Sequence, residues 1–238
     1  MNNDLKNINM VILCGGRGSR MGKLTKKIPK PMIKVGKLSI IEHKIKYYKS
    51  QGVEKFIFCL GYKASVLKKF LQKKNKESVF SDSGASPGIL KRIYNAKKYL
   101  NENTIISYGD TLAKINFKDL IKQHKISKCL ITLVAAPIKN PFGLVNWDKK
   151  GKAINFKEKP ILNHFVGYAV ITPKFFNKIS NKIVNLPDGR GMIEAINFLI
   201  KKRRVNIYKF NDLQVTINSP DELKNAKLNY NKYFTINE

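Results

Sequence analysis

The feature that most constrains this chain is a short apolar run that ends in a glycine loop. Residues 10–14 (MVILC) lead directly into Gly15-Gly16-Arg17-Gly18-Ser19-Arg20. That order reads as a buried strand entering a tight loop. The texture continues downstream. Ser39 and Glu42 form a capping box ahead of Ile41, Ile45 and Tyr48 at helical spacing, and Gly52 closes that helix. Residues 53–60 read as a strand, and residues 64–74 as a helix with Leu67, Phe70 and Leu71 on one face. Ile89, Ile93, Ala96 and Leu100 make the stripe of another helix. Residues 104–108 form a strand running into Gly109-Asp110. Asn116 caps a helix carrying Phe117, Leu120, Ile121 and His124, and residues 129–136 form a strand. Strand and helix alternate over the first 136 residues, which implies a parallel sheet with helices on both faces.

After Pro137 the texture changes. Residues 142–147 and 153–156 flank Asp148-Lys149-Lys150-Gly151-Lys152, a hairpin signal. A strand over 167–172, a helix over 192–202 and strands over 205–210 and 214–218 follow. Ser219-Pro220-Asp221-Glu222 opens the last helix with a capping box and proline at its first position. The expected fold class is α/β: a Rossmann-like, mostly parallel sheet with helices on both faces. A mixed α/β substrate-binding lid covers the carboxyl ends of the strands, the edge where open α/β sheets bind ligands.

Composition narrows the partners. With 238 residues, 43% of them hydrophobic, the chain buries a sizeable core and is not a disordered one. No apolar run approaches the roughly 20 residues that cross a bilayer. Residues 1–9 are polar and lack an apolar signal core, so no membrane partner is expected. Cys14, Cys59 and Cys129 are far apart and read as reduced thiols of a cytoplasmic protein. The three histidines show no metal-ligand spacing. The net charge is 46 − 16 = +30, which suggests nucleic acid. Yet only six basic residues are arginine, and the lysines are spread along the whole chain. A specific nucleic-acid partner is therefore not expected, while small polyanionic substrates fit a positive field.

The glycine loop carries the chemistry. Glycines let backbone N–H groups approach a phosphate closely. Arg20 suits bidentate contact with phosphate oxygens. Eight residues later Pro29-Lys30-Pro31 presents a lysine on a backbone stiffened by flanking prolines. The loop is not a Walker A motif, because the Gly-Lys-Ser/Thr ending is missing. It also departs from the dinucleotide fingerprint, because Arg20 stands where the third glycine belongs.

At this point the sequence resembles the nucleotidyltransferases that make nucleotide-activated sugars from a nucleoside triphosphate and a sugar 1-phosphate. The signature is Gly-Gly-x-Gly-x-Arg, a basic stretch with threonine (here Thr25), then Pro-Lys-Pro. Further matching pieces are FIFCLGYK at 56–63, ILKR at 89–92, Tyr108-Gly109-Asp110, Phe142-Gly143, FKEKP at 156–160 and INSPDEL at 217–223. FIFCLGYK, LKR and YGD look most like the glucose-1-phosphate cytidylyltransferase branch.

The resemblance implies the nucleotide-diphospho-sugar transferase fold in one domain, 1–238. Its nucleotide-binding half is about 9–136 and its acceptor-binding half about 137–238. It implies coupling of a nucleoside triphosphate, CTP foremost, to a sugar 1-phosphate with release of pyrophosphate, in surface polysaccharide biosynthesis. Arg20, Lys30 and Lys159 would be catalytic. Cys14, Gly15, Gly16, Gly18, Ser19, Arg20, Lys30, Gly88 and Gly109 would line the nucleotide, with Cys14 packing in the core rather than reacting. Gly143, Glu158, Lys159 and Gly167 would serve the acceptor. Asp110 and Asn218 would hold Mg²⁺, the implied cofactor. A homo-oligomer is compatible with all of this. Lys91 and Arg92 serve nucleotide choice or are simply solvated; the residues leave both open.

Two departures stand out. The family places a second metal aspartate where this chain has Asn218, so one negative charge is lost. It also places a side-chain amide where this chain has Phe165, inside His164-Phe165-Val166-Gly167-Tyr168. Two alternatives therefore stay open: a cytidylyltransferase for a small non-sugar phosphate or phosphonate, and a non-catalytic nucleotide-binding subunit. Binding to DNA or RNA should be non-specific and should collapse as salt rises, since dispersed lysines only exchange counterions. A sequence-selective complex that survives physiological salt in a filter-binding titration would reverse this expectation.

Overall fold

The computed structural model describes residues 5–75 and 77–234. Residues 1–4 of the polar N-terminal segment lie outside the described residues. The chain runs β1 (Asn9–Leu13), α1 (Lys23–Lys27), β2 (Lys34–Val35), β3 (Leu38–Ser39), α2 (Ile40–Ser50), β4 (Lys55–Leu60), α3 (Ala64–Lys74), β5 (Val79–Asp82), α4 (Ile89–Asn95) and β6 (Thr104–Tyr108). It continues with β7 (Thr111–Ala113), α5 (Phe117–Ser127), β8 (Ile131–Lys139), β9 (Leu144–Trp147), β10 (Ala153–Lys157) and β11 (Ile161–Ile171). The last elements are α6 (Asn181–Val184), α7 (Arg190–Lys201), β12 (Val205–Lys209), β13 (Gln214–Thr216), α8 (Pro220–Leu228) and α9 (Tyr230–Phe234).

Seven strands make one sheet in the order β12-β8-β11-β6-β1-β4-β5. Strands β6, β1, β4 and β5 are mutually parallel, and β12 is parallel to β8. Only β11 runs antiparallel to its neighbours. The architecture is thus α/β with a mostly parallel sheet and helices on both faces, as expected. Strand alternation divides the core. Met10, Ile12, Phe56 and Phe58 face α2, α3 and α5, while Val11, Ile57 and Cys59 face α4 and α7. Each such fully buried side chain contributes about 1.5–3 kcal/mol.

Local signals hold where they are self-contained. Ser39 and Glu42 make the reciprocal capping box of α2. Asn116 caps α5 by accepting from the Asp119 amide at 3.0 Å. Several expectations are corrected. The helix expected over 89–100 breaks after Asn95 and continues as a 3₁₀ turn at Lys97–Tyr99. There the Ala96 amide is shared between the carbonyls of Arg92 and Ile93, so the ladder tightens. The strand expected from residue 53 starts at Lys55, because the Val53 amide closes α2 on the Tyr48 carbonyl. The strand expected over 167–172 begins at Ile161, and the one over 214–218 ends at Thr216. β2, β3, β5 and β7 were not legible, since strands of two to four residues carry almost no periodic signal.

His124 on α5 is buried and bonds Thr132 Oγ1 on β8 through Nδ1 at 2.7 Å. Burial pushes its pKa down to about 4. The folded state keeps the ring neutral, whereas the unfolded chain protonates near its ordinary value of about 6.5. Stability from this group is therefore lost as pH falls below 6.5, amounting to about 2 kcal/mol between pH 7.5 and pH 5. Urea midpoints at the two pH values should differ less in His124→Gln than in wild type. An unchanged difference would show that another group titrates.

Candidate active site

The glycine loop leaves β1 and folds back on its own chain. Gly18 adopts the left-handed region at φ 63°, and a Cβ there would stand 3.1 Å from both Thr25 and Lys30. Thr25 Oγ1 donates to the carbonyls of Gly18 (3.1 Å) and Gly22 (3.3 Å), which locks the loop. Ser19–Met21 forms a 3₁₀ turn that carries Arg20. Lys30 opens a second 3₁₀ turn between Pro29 and Pro31, closed by the Met32 amide on the Pro29 carbonyl at 2.9 Å.

Asp110 and Asn218 arrive from opposite ends of the sequence. β7 and β13 pair antiparallel with Thr111 opposite Thr216, so both residues lie at the same end of one ribbon. The Ile217 amide donates to the Asp110 carbonyl at 3.0 Å. Asn218 precedes the cap of α8, and its amide donates to the Glu222 carboxylate of that capping box. Behind the ribbon, buried Lys44 donates to the Thr111 carbonyl and to Tyr168 Oη.

The four side chains converge. Lys30 Nζ lies 2.7 Å from Asp110 Oδ2 and 2.9 Å from Asn218 Oδ1. Arg20 Nη2 donates to the same Asn218 oxygen at 3.0 Å. Two hard oxygens thus face one cation already, and hard oxygen is the donor type that Mg²⁺ takes. The donor set fits a weakly held Mg²⁺, with one carboxylate and one neutral carbonyl from the protein.

A continuous cleft surrounds this cluster, and Asp110 lines all three of its cavities. Cys14, Gly16, Gly18, Ser19, Arg20, Lys30 and Asn218 line the central one, of about 240 Å³. Gly15, Gly88 and Arg17 line the second, of about 410 Å³, between the glycine loop and the N-terminus of α4. Gly167 lines the third, of about 220 Å³, together with His164, Phe165, Gln214 and Thr216. Gly109 packs beneath the cleft, where a Cβ would meet the Leu13 carbonyl at 2.4 Å. The Cys14 thiol is buried, and burial pushes its pKa far above the ordinary thiol value.

Gly143, Glu158 and Lys159 line none of these three cavities. They belong to the β9–β10 arm, whose residues are exposed. Lys159 pairs with Glu158 at 3.6 Å in solvent. Lys159 precedes His164 by five residues, roughly 16 Å along an extended chain.

Sequence reasoning left Arg92 undecided; it lines the larger cavity, but its guanidinium is committed to backbone carbonyls. Its guanidinium is buried and donates to the carbonyls of Leu60 (2.7 Å), Gly84 (2.7 Å) and Ala85 (3.2 Å). Burial holds its pKa below the ordinary value. Asp188 and Gly189, which sequence reasoning did not single out, also line the larger cavity. The Asp188 carbonyl accepts from the Ile89 amide at 2.7 Å. The Pro187-Asp188-Gly189 turn signal was there to be read, but nothing local tied it to Gly88.

Residues 9–214 match the protein-family model described as Nucleotidyl transferase. A protein of Bacillus subtilis (strain 168) named "Probable glucose-1-phosphate cytidylyltransferase" is 30% identical over 227 residues, covering 84% of this chain and 87% of the relative. The D-glycero-alpha-D-manno-heptose 1-phosphate guanylyltransferase of Campylobacter jejuni is 26% identical, covering 92% and 98%. Among solved structures, HddC from Yersinia pseudotuberculosis superposes with a TM-score of 0.71 at 21% identity, covering 93% and 99%, which shows a shared fold. Among the described residues, no helix is long and apolar enough to cross a membrane.

Arg20→Ala and Lys30→Ala should each lower nucleotidyl transfer by about 100-fold or more, the scale of losing a preorganised charge donor. Pyrophosphate release at saturating substrates measures it. Wild-type turnover in both variants would remove the glycine loop from the chemistry.

Proposed function

Because the chain belongs to the Nucleotidyl transferase family, we propose that it couples a nucleoside triphosphate, CTP foremost, to a sugar 1-phosphate. The products are a nucleotide-activated sugar and pyrophosphate. One observation carries the reading: Arg20, Lys30, Asp110 and Asn218 meet at the glycine loop, in a cleft with a separate cavity on either side. The nucleotide takes the cavity between the glycine loop and Gly88, and the acceptor takes the cavity beside Gly167. The acceptor assignment extends to Gly143, Glu158 and Lys159 on the arm.

An acceptor phosphate oxygen attacks the α-phosphorus in line, and the bond to the β-phosphate oxygen breaks. No general base is needed, because the attacking phosphate is already an anion. The protein positions the two anions and neutralises their charge. Arg20 offers a fork of donors to phosphate oxygens, and Lys30 offers a point charge held between two prolines. Asp110 and Asn218 would hold Mg²⁺, which when bound neutralises charge on the triphosphate. Lys30, which bonds these two oxygens here, would then be released to face the phosphates. The relative from Bacillus subtilis supports cytidylyl transfer, and membership of the family supports the magnesium requirement. A nucleotide-sugar product and three buried or half-buried free cysteines fit a cytoplasmic enzyme feeding surface polysaccharide synthesis.

A second reading has one observation behind it. Phe165 lines the acceptor cavity, edge-to-face against Tyr108 with ring centroids 5.6 Å apart. An apolar plate there suits a small phosphate or phosphonate with few hydroxyls.

A matrix of four nucleoside triphosphates against sugar 1-phosphates and alkyl phosphonates, scored by pyrophosphate release, tests both readings. The best pair should then be titrated with Mg²⁺ in three proteins. Asp110→Asn should nearly abolish release, and Asn218→Asp should lower the Mg²⁺ needed for half-maximal rate. An unchanged requirement in Asn218→Asp would place Asn218 away from the metal. Release by Asn218→Asp alone, with none from wild type, would make the natural chain a non-catalytic subunit.

A further inference from the structure

Four consecutive residues of β11, from His164 to Gly167, line the acceptor cavity. A regular strand cannot do this, because successive side chains point to opposite faces. The pairing of β11 with β8 shifts register between Phe165 and Ala169, and Gly167 takes φ 84°. Such a bulge re-aims side chains beside a site. It follows His164 and Phe165, which still pair in register with Ala136 and Ala135, and it contains Val166 and Gly167, which line the same cavity.

The imidazole of His164 is half-satisfied. Gln214 Nε2 on β13 faces His164 Nε2 at 3.0 Å. An amide nitrogen only donates, so the imidazole accepts there and its proton sits on Nδ1. Nδ1 is buried and has no hydrogen-bond partner among the described residues. A buried donor without an acceptor is costly, and each one in a folded protein calls for an explanation. Gln214 lines the same cavity as His164, so the residue that holds the unpaired donor and the group that sets its tautomer border the space together.

Resting on the nucleotidyl-transfer reading, we propose that His164, oriented by Gln214, is the residue that reads the acceptor, and that its Nδ1–H binds a hydroxyl oxygen of the substrate. The pair supplies the donor that Phe165 cannot. The acceptor is then a hydroxylated phosphate monoester, such as a sugar or polyol phosphate, with its apolar face on Phe165 and its phosphate toward Arg20. An alkyl phosphonate without hydroxyls leaves the Nδ1 proton unpaired and is disfavoured.

The test uses glucose 1-phosphate, its four monodeoxy analogues and ethyl phosphate as acceptors, with the preferred triphosphate and pyrophosphate release as readout. His164→Leu should raise the acceptor KM about tenfold, the scale of one hydrogen bond, and leave the triphosphate KM within about twofold. His164→Asn keeps a donor and should recover most of the loss. Gln214→Leu should shift the acceptor KM in the same direction. One deoxy analogue should be insensitive to His164→Leu, which names the oxygen that is read. An unchanged acceptor KM in His164→Leu, an equal rise in both KM values, or ethyl phosphate serving wild type as well as glucose 1-phosphate would each overturn the inference. If wild type uses no hydroxylated phosphate with any triphosphate, the functional reading itself falls, and the inference with it.

Discussion

The Arg92 guanidinium is the contact on which the carboxyl edge of the sheet depends. It fills a space bounded by two glycines, where a Cβ on Gly15 or Gly61 would come within 2.3 Å or 2.1 Å of its Nη1. From there it bonds carbonyls at the end of β4 and in the loop that precedes α4. Backbone carbonyls at a sheet edge need donors, and burying them unpaired is costly. One planar cation with five donors satisfies three of them while holding two loops at a fixed separation. The glycine loop and the loop before Gly88 face each other across the larger cavity because this spacer stands between them.

The second organising contact joins the ends of the chain. Lys30 belongs to the first glycine-loop segment, Asp110 follows β6, and Asn218 precedes α8. With Arg20 beside Asn218, their meeting concentrates two cations, one carboxylate and one amide in a half-buried cleft. With asparagine rather than aspartate at position 218, this cluster carries one more positive charge than negative. That balance favours polyphosphate anions over a free divalent cation. The general field of the molecule points the same way, since its formal charge is +30.

The arm adds a different kind of surface. Phe142, Trp147, Ile154 and Phe156 are each more than 60% exposed on or beside β9 and β10, next to Glu158 and Lys159. Meanwhile the strand that continues from the arm, β11, carries the bulge beside the cavity that Gly167 lines. That side of the cleft is therefore built on one long strand that is exposed at its start and buried at its end.

Local chemistry was legible in the sequence. The strand-to-glycine-loop junction, Lys30 between two prolines, the capping boxes at Ser39 and Ser219, and the alternation of strand and helix were all read correctly. Each depends on residues within a few positions of one another, so neighbouring identities suffice. What only the tertiary structure decided is where distant segments meet. The β7·β13 ribbon joins three-residue strands about a hundred positions apart, with no periodicity to announce it. Arg92 reads equally as a nucleotide-choosing or a solvated cation until the carbonyls of two other segments surround it. His164 lies ahead of the strand expected over 167–172 until pairing with β8 extends β11 back to Ile161 and sets it beside the cleft. Sequence patterns record the preferences of a segment, whereas these contacts depend on long-range pairing, which no segment contains by itself.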